Sequence, residues 1–137
     1  MLYGRPMPTI RVPFTVTARP SGPGDLGDVP VVALTTFDKV FSGSELLGTS
    51  VVHMVSVVGA AGPLAYVALE RVEGSLDGVE GSFVLQHVGT ITAGVPTLVL
   101  EVVPGSGTSG LELLEGSGSI EHTGDGAFLT LTYSLPG

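Results

Sequence analysis

Glu70 and His87 are the two residues on which chemistry could rest in this chain. A carboxyl and an imidazole placed together among apolar side chains can move a proton between two positions of a bound organic molecule. Tyr66 or His53 could donate a hydrogen bond to the negative charge that develops. Burial favours the neutral form of each partner, whereas proximity favours the ion pair. The same residues could equally form a buried pair that satisfies only itself, with Gln86 or a water completing it.

Their encounter depends on strands and turns. Asp77-Gly78 is a two-residue hairpin turn, since a type I′ turn needs positive φ at both central positions and Asp-Gly tolerates it. With Leu76 opposite Val79, Ala68 lies opposite His87 and Glu70 opposite Leu85. Tyr66, Ala68, Glu70, Phe83, Leu85 and His87 then share one face, with Glu70 and His87 as diagonal neighbours. A turn through Gly59-Ala60-Ala61-Gly62 with Val58 opposite Pro63 places His53 across from Ala68 and Val51 across from Glu70, adding His53 to that face. A turn at Thr92-Ala93 sets Leu98 opposite His87 and Leu100 opposite Leu85. A register error of two residues would keep this face, and an error of one would reverse it.

The whole chain reads as all-β. It has 137 residues, of which 21 are glycine and 10 proline, with charged residues only 13%. Apolar segments alternate with turn signals, and no credible long helix occurs. Strands are expected at Thr9–Thr17, Val31–Phe41, Thr49–Val58, Leu64–Val72, Ser82–Thr90, Val95–Val103, Ser117–His122 and Ala127–Leu135, with at most a helical turn at Leu111–Glu115. The architecture that follows is an eight-stranded antiparallel β-barrel of the calycin or lipocalin kind, forming one domain over 1–137. Residues 1–8 are expected to be flexible, and the Gly-, Pro- and Asp-rich stretch Arg19–Pro30 to form a long loop over one barrel end, a candidate lid.

Several function classes are excluded. Thirteen acidic against five basic residues leave a net charge of −8 with no cationic cluster, so neither nucleic acid nor an anionic membrane is an expected partner. The longest apolar runs fall far short of the ~20 residues of a spanning helix. The N-terminus MLYGRPMPTI lacks the apolar core of a secretory signal, so a cytoplasmic location is expected. With no cysteine there is no disulfide, thiolate or Cys-based zinc chemistry.

Other motifs read blandly. Gly105 to Gly110 matches G-x-G-x-x-G, but the fingerprint requires a following helix and a parallel strand, and neither is expected. His53, His87 and His122, with Glu70, have no compact ligand spacing, so neither metal nor cofactor is expected. No G-x-S-x-G elbow is present. Glu112, Glu115, Glu121 and Asp125 read as a solvated acidic surface. The face opposite the candidate pair carries Val52, Met54, Val67, Leu69, Val88 and Val99, which is apolar for a barrel exterior. A homo-oligomer with the third and fourth strands at the interface is therefore expected.

YVALERVEGSLDGVEGSFVLQHVGT, then VVPGSGTSGLELLEGSGS and the closing LTLTYSL, resemble the bacterial domain-of-unknown-function family DUF3224 over Val31 to Leu135. That resemblance implies an allene oxide cyclase-like barrel, usually without an assigned activity. By analogy, relatives on that barrel include plant enzymes that cyclise an unstable epoxide and bacterial cyclases of polyketide intermediates. These use no cofactor and work by holding a flexible apolar molecule in a reactive shape. Glu70 of LERV and Gln86 and His87 of LQH carry over from the family pattern. His53 stands where an acidic residue is usual, and Met54 where an aromatic is usual.

The expected function is binding of a hydrophobic or amphipathic small molecule in the barrel lumen, leaning toward cofactor-independent isomerisation or cyclisation of a polyketide- or oxylipin-like substrate. Glu70 and His87 are the catalytic candidates. His53, Tyr66, Phe83, Leu85, Gln86, Leu98, Leu100 and Tyr133 are the ligand-binding candidates. A non-catalytic binding module and a structural homo-oligomeric domain stand as alternatives. An interior plugged by Phe14, Phe37, Phe83 and Tyr133 would leave no room for either a substrate or a ligand.

Overall fold

The computed structural model describes residues 7–20 and 31–136. Eight strands form a closed antiparallel barrel in simple sequence order, the last pairing back onto the first. They are β1 Thr9–Pro20, β2 Val31–Ser42, β3 Leu46–Gly59, β4 Gly62–Leu76, β5 Val79–Thr92, β6 Val95–Val102, β7 Glu115–Thr123 and β8 Gly126–Ser134. Most run longer than their apolar stretches suggest, because ladder hydrogen bonds continue through polar residues beside the turns. The helical turn lies at Ser109–Leu111, not at Leu111–Glu115, and is of the 3₁₀ kind. Arg19 and Pro20 belong to β1, whereas the rest of the expected lid, 21–30, lies outside the described residues. In the stretch expected to be flexible, the Pro8 carbonyl accepts a hydrogen bond from Tyr133 N at 3.0 Å.

Turn chemistry sets the register. Asp77 and Gly78 take φ of 47° and 84° as a type I′ turn requires, and Leu76 pairs with Val79. Ala68 therefore faces His87 and Glu70 faces Leu85, as expected. The β5–β6 turn falls one place later than expected, on Ala93-Gly94, so Leu100 faces His87 and Leu98 faces Gly89. This changes the pairing by two residues and preserves the face.

Between β3 and β4 the outcome reverses. Val58 pairs with Pro63 as expected, but Val57 pairs with Ala65, leaving Leu64 as the extra residue of a β-bulge. Pro63 has no N–H to give the ladder, and a bulge is where a sheet accommodates that loss. Past this point His53 faces Leu69, and Val52 faces Glu70. A slip of one residue turns over every side chain of β3, so Ser50, Val52, Met54 and Ser56 point inward while Val51 and His53 point outward.

The interior has a packed end and a hollow one. At the packed end Phe41, Leu46, Leu76, Phe83, Leu111 and Leu114 are each about 1% exposed or less. The last two come from the β6–β7 connection, which is clipped onto β5 by Thr108 N to Ser82 O at 2.9 Å and Ser82 N to Thr108 Oγ1 at 3.1 Å. Gly81 permits this approach, since a Cβ there would stand 2.3 Å from Thr108 O. Tyr133 sits at the same end, its hydroxyl donating to the Asp77 carboxylate. Burial and that bond push the phenol up to about 12. No helix among the described residues is long and apolar enough to cross a membrane.

Candidate functional site

A polar track crosses four neighbouring strands on the inner wall. Lys39 of β2 lies directly opposite Ser50 of β3, Ser50 is diagonal to Glu70 of β4, and Glu70 is diagonal to His87 of β5. Glu70 is the hub and only 1% exposed. Its Oε1 accepts from Lys39 Nζ at 3.2 Å and from His87 Nε2 at 2.8 Å, and its Oε2 accepts from Ser50 Oγ at 2.5 Å.

The electrostatics follow from these contacts. Burial opposes ionisation of Glu70, but the hydrogen bond from His87, the charge of Lys39 and the hydrogen bond from Ser50 together prevail. The carboxyl is held below its ordinary value of 4.5. Lys39 is itself buried, with its ammonium 4.5 Å above the Phe14 ring. An ionised Glu70 accepts the Nε2 proton of His87, so a neutral imidazole carries its lone pair on Nδ1. Nδ1 makes no hydrogen bond among the described residues, and no buried side-chain nitrogen or oxygen there lacks a partner. That nitrogen is therefore open to a molecule beside it.

A cavity of about 200 Å³ lies against this track. Lys39 and His87 form its polar wall, while Val16, Phe37, Met54 and Ile120 make up much of the rest, with Tyr66 and His122 toward the hollow end. Glu70 lies behind, not in, the cavity wall. The arrangement offers one ammonium donor and two imidazoles, His87 and His122, on a mostly apolar surface, and of the two it is His87 that a carboxylate orients.

The family model described as "Protein of unknown function (DUF3224)" matches residues 10–134. The chain belongs to the DUF3224 family. A protein of unknown function from the same family, from Shewanella oneidensis MR-1, has a crystal structure similar to this barrel. It superposes with a TM-score of 0.83 at 34% sequence identity, covering 96% of this chain and 98% of its own. No match was found among the curated proteins.

Within this DUF3224 barrel the expected site residues divide. Glu70 and His87 meet as expected, and Tyr66 lines the cavity. His53 does not belong to the chamber: the bulge puts it outside, 3.5 Å from Thr36 Oγ1. Gln86 is also outside and exposed, opposite Leu69 and Glu101. Phe83, Leu85, Leu100 and Tyr133 point inward but belong to the packed core. Leu98 is half-buried and lines a second hollow next to the first. Of the four possible plugs, Phe83 and Tyr133 fill the packed end, whereas Phe14 and Phe37 line the cavity. The three histidines do not assemble: among the described residues no group of three or more His, Asp or Glu could hold a metal.

Sequence reasoning missed Lys39 and Ser50. Lys39 carried a readable signal, because Phe37, Lys39 and Phe41 alternate along β2 and two phenylalanines mark the inner face. Ser50 turns inward only through the bulge.

Proposed function

We propose that this DUF3224 barrel binds a compact, mostly apolar molecule bearing an uncharged oxygen and shifts a proton on it, a cofactor-independent isomerisation or ring closure. The observation that carries this reading is the Lys39 and His87 wall of the cavity, backed by buried Glu70. Lys39 and Glu70 already cancel in charge, so a carbonyl suits the site better than a carboxylate, whose extra buried charge would need its own partner.

The chemistry balances within the site. Lys39 Nζ donates to the carbonyl oxygen, and His87 Nδ1 takes a proton from the adjacent carbon. The C–H pair becomes the C=C bond of an enolate whose oxygen rests on Lys39, and the imidazolium is stabilised by Glu70. In a β,γ-unsaturated ketone, return of the proton from the imidazolium to the γ carbon moves the double bond. In a diketone, attack of the enolate carbon on the second carbonyl closes a ring, the C=O π bond breaking to an alkoxide that takes the proton from the imidazolium. Glu70 is a positioning residue here, because it touches neither the cavity nor the ligand. The hollow exceeds the roughly 150 Å³ void known to take up benzene, so a ring-sized head fits. A whole polyketide- or oxylipin-like chain would have to extend beyond it.

The test uses small ketones in deuterated water. Cyclohexanone is expected to bind and to exchange its α-hydrogens faster with the protein than with buffer, followed by proton NMR. Binding without accelerated exchange would leave the non-catalytic binding module as the function. Native mass spectrometry of the purified chain would identify a co-purified molecule.

The same proposal includes a homo-oligomer. Leu34, Val55, Val67, Leu69 and Val99 of the outer face are each 41–55% exposed. Copies carrying a net charge of −8 approach each other best through such an uncharged band. Light scattering is expected to give a multiple of the chain mass, and Leu69→Lys with Val67→Lys to give a monomer. A wild-type monomer at working concentration would remove the assembly from the proposal.

A further inference from the structure

We propose that the binding site continues through the barrel wall between β6 and β7, so that the natural ligand has an uncharged polar head at Lys39 and His87 and an aliphatic tail leaving through this seam. The inference deepens the proposed function and rests on it.

The wall is incomplete at this point. β6 and β7 pair only through Leu100 with Gly118 and Glu101 with Ser117. On their other sides both strands are fully laddered, β6 with β5 from Val95 to Val102 and β7 with β8 from Glu115 to Thr123. Past Gly118 the two strands run on without pairing to each other. Counting on from the last ladder pair, Leu98 and Ile120 are the first inward residues to face each other across the opening.

A second hollow of about 420 Å³ occupies this opening. Tyr66, Ile120 and His122 line both it and the inner cavity, so the two spaces share a boundary. Gly89 of β5 leaves room for the ring of Tyr66 at that boundary, since a Cβ there would lie 2.2 Å from Tyr66 Cε1. The outer hollow is completed by Ile91, Pro96 and Leu98, with Thr90 and Thr97. The two threonine hydroxyls bond each other at 2.6 Å, which leaves the Tyr66 hydroxyl and the His122 ring as the polar groups of the groove. Most of the remaining lining, Ile91, Pro96, Leu98 and Ile120, is apolar surface, the chemistry of an alkyl chain.

The experiment titrates the full chain with straight-chain methyl ketones of five to ten carbons by calorimetry. Affinity is expected to keep rising, by up to about fourfold for each added methylene, beyond the length the inner cavity can hold. In Leu98→Trp, which fills the opening, that rise is expected to stop at the shorter ketones. Ile91→Trp, on the neighbouring strand β5 and at a more exposed position in the groove lining, supplies the same reading should the first variant fail to fold. Long ketones binding no tighter than short ones, or both tryptophan variants keeping the wild-type length dependence, would overturn the seam while leaving the inner site intact. Failure of every ketone to bind would overturn the proposed function and the seam with it.

Discussion

Glu70→Gln is expected to destabilise the barrel by about 3–5 kcal/mol at neutral pH, the range for breaking a buried ion pair from one side. The carboxylate serves three donors, Lys39, Ser50 and His87, at 3.2, 2.5 and 2.8 Å. A glutamine has one acceptor oxygen, and its amide would turn N–H groups toward donors that need acceptors. The dominant cost is the ammonium of Lys39, left buried without its counter-charge. Lys39→Met combined with Glu70→Gln removes both charges, so the double variant is expected to be more stable than Glu70→Gln alone. Urea denaturation at unchanged m-value measures both. A loss below about 1 kcal/mol for the single variant would show that the pair contributes no more than a surface ion pair.

Acid provides a second reading of the same residue. Glu70 titrates lower in the folded chain than in the unfolded one, because its three donors prevail over burial. Its contribution to stability is therefore complete above the unfolded value and is lost as pH falls through the folded one. The gap between wild type and Glu70→Gln is expected to narrow over that acid range.

The barrel was legible because each of its signals was local. Asp77-Gly78 names its own turn, and alternation along β5 names its inner face, so the meeting of Glu70 with His87 followed from twelve residue pairs in one hairpin. The β5–β6 turn was misplaced by one residue without harm, because the pairing changed by two. His53 was lost through an error of half that size. Gly59 to Gly62 looks like an ordinary turn, and the disturbance lies just beyond it, at Pro63 and Leu64. A proline beside a hairpin turn is a warning that the ladder will skip, and each skipped residue exchanges the inside of a strand for its outside. Lys39 was missed for a different reason: the flanking phenylalanines mark its face as inner, but its charge partner Glu70 lies two strands away, outside the reach of any one hairpin. The gap between β6 and β7 has no sequence signature at all. It is a property of two strands that each have a better partner elsewhere.

His87→Ala is expected to slow ketone α-hydrogen exchange by about 10²–10⁴-fold, the usual worth of a positioned general base. The ketone dissociation constant should change far less. Binding rests on Lys39 and the apolar wall, whereas Nδ1 acts only as the C–H bond breaks, so the loss belongs in kcat more than in KM. The variant keeps two of the three donors to Glu70, so the barrel is expected to remain folded with the Lys39 pair intact. Truncation also leaves space next to the cavity, which makes rescue informative: added imidazole should restore part of the exchange rate if a base at that position is what was removed. Glu70→Gln should lower the rate as well, since without a carboxylate neither the Nε2 tautomer nor the imidazolium is stabilised. Lys39→Met should weaken ketone binding and exchange together, because it removes the donor to the oxygen. If His87→Ala left exchange unchanged while Lys39→Met abolished it, the proton would be leaving by another route, and the pairing of His87 with Glu70 would be structural.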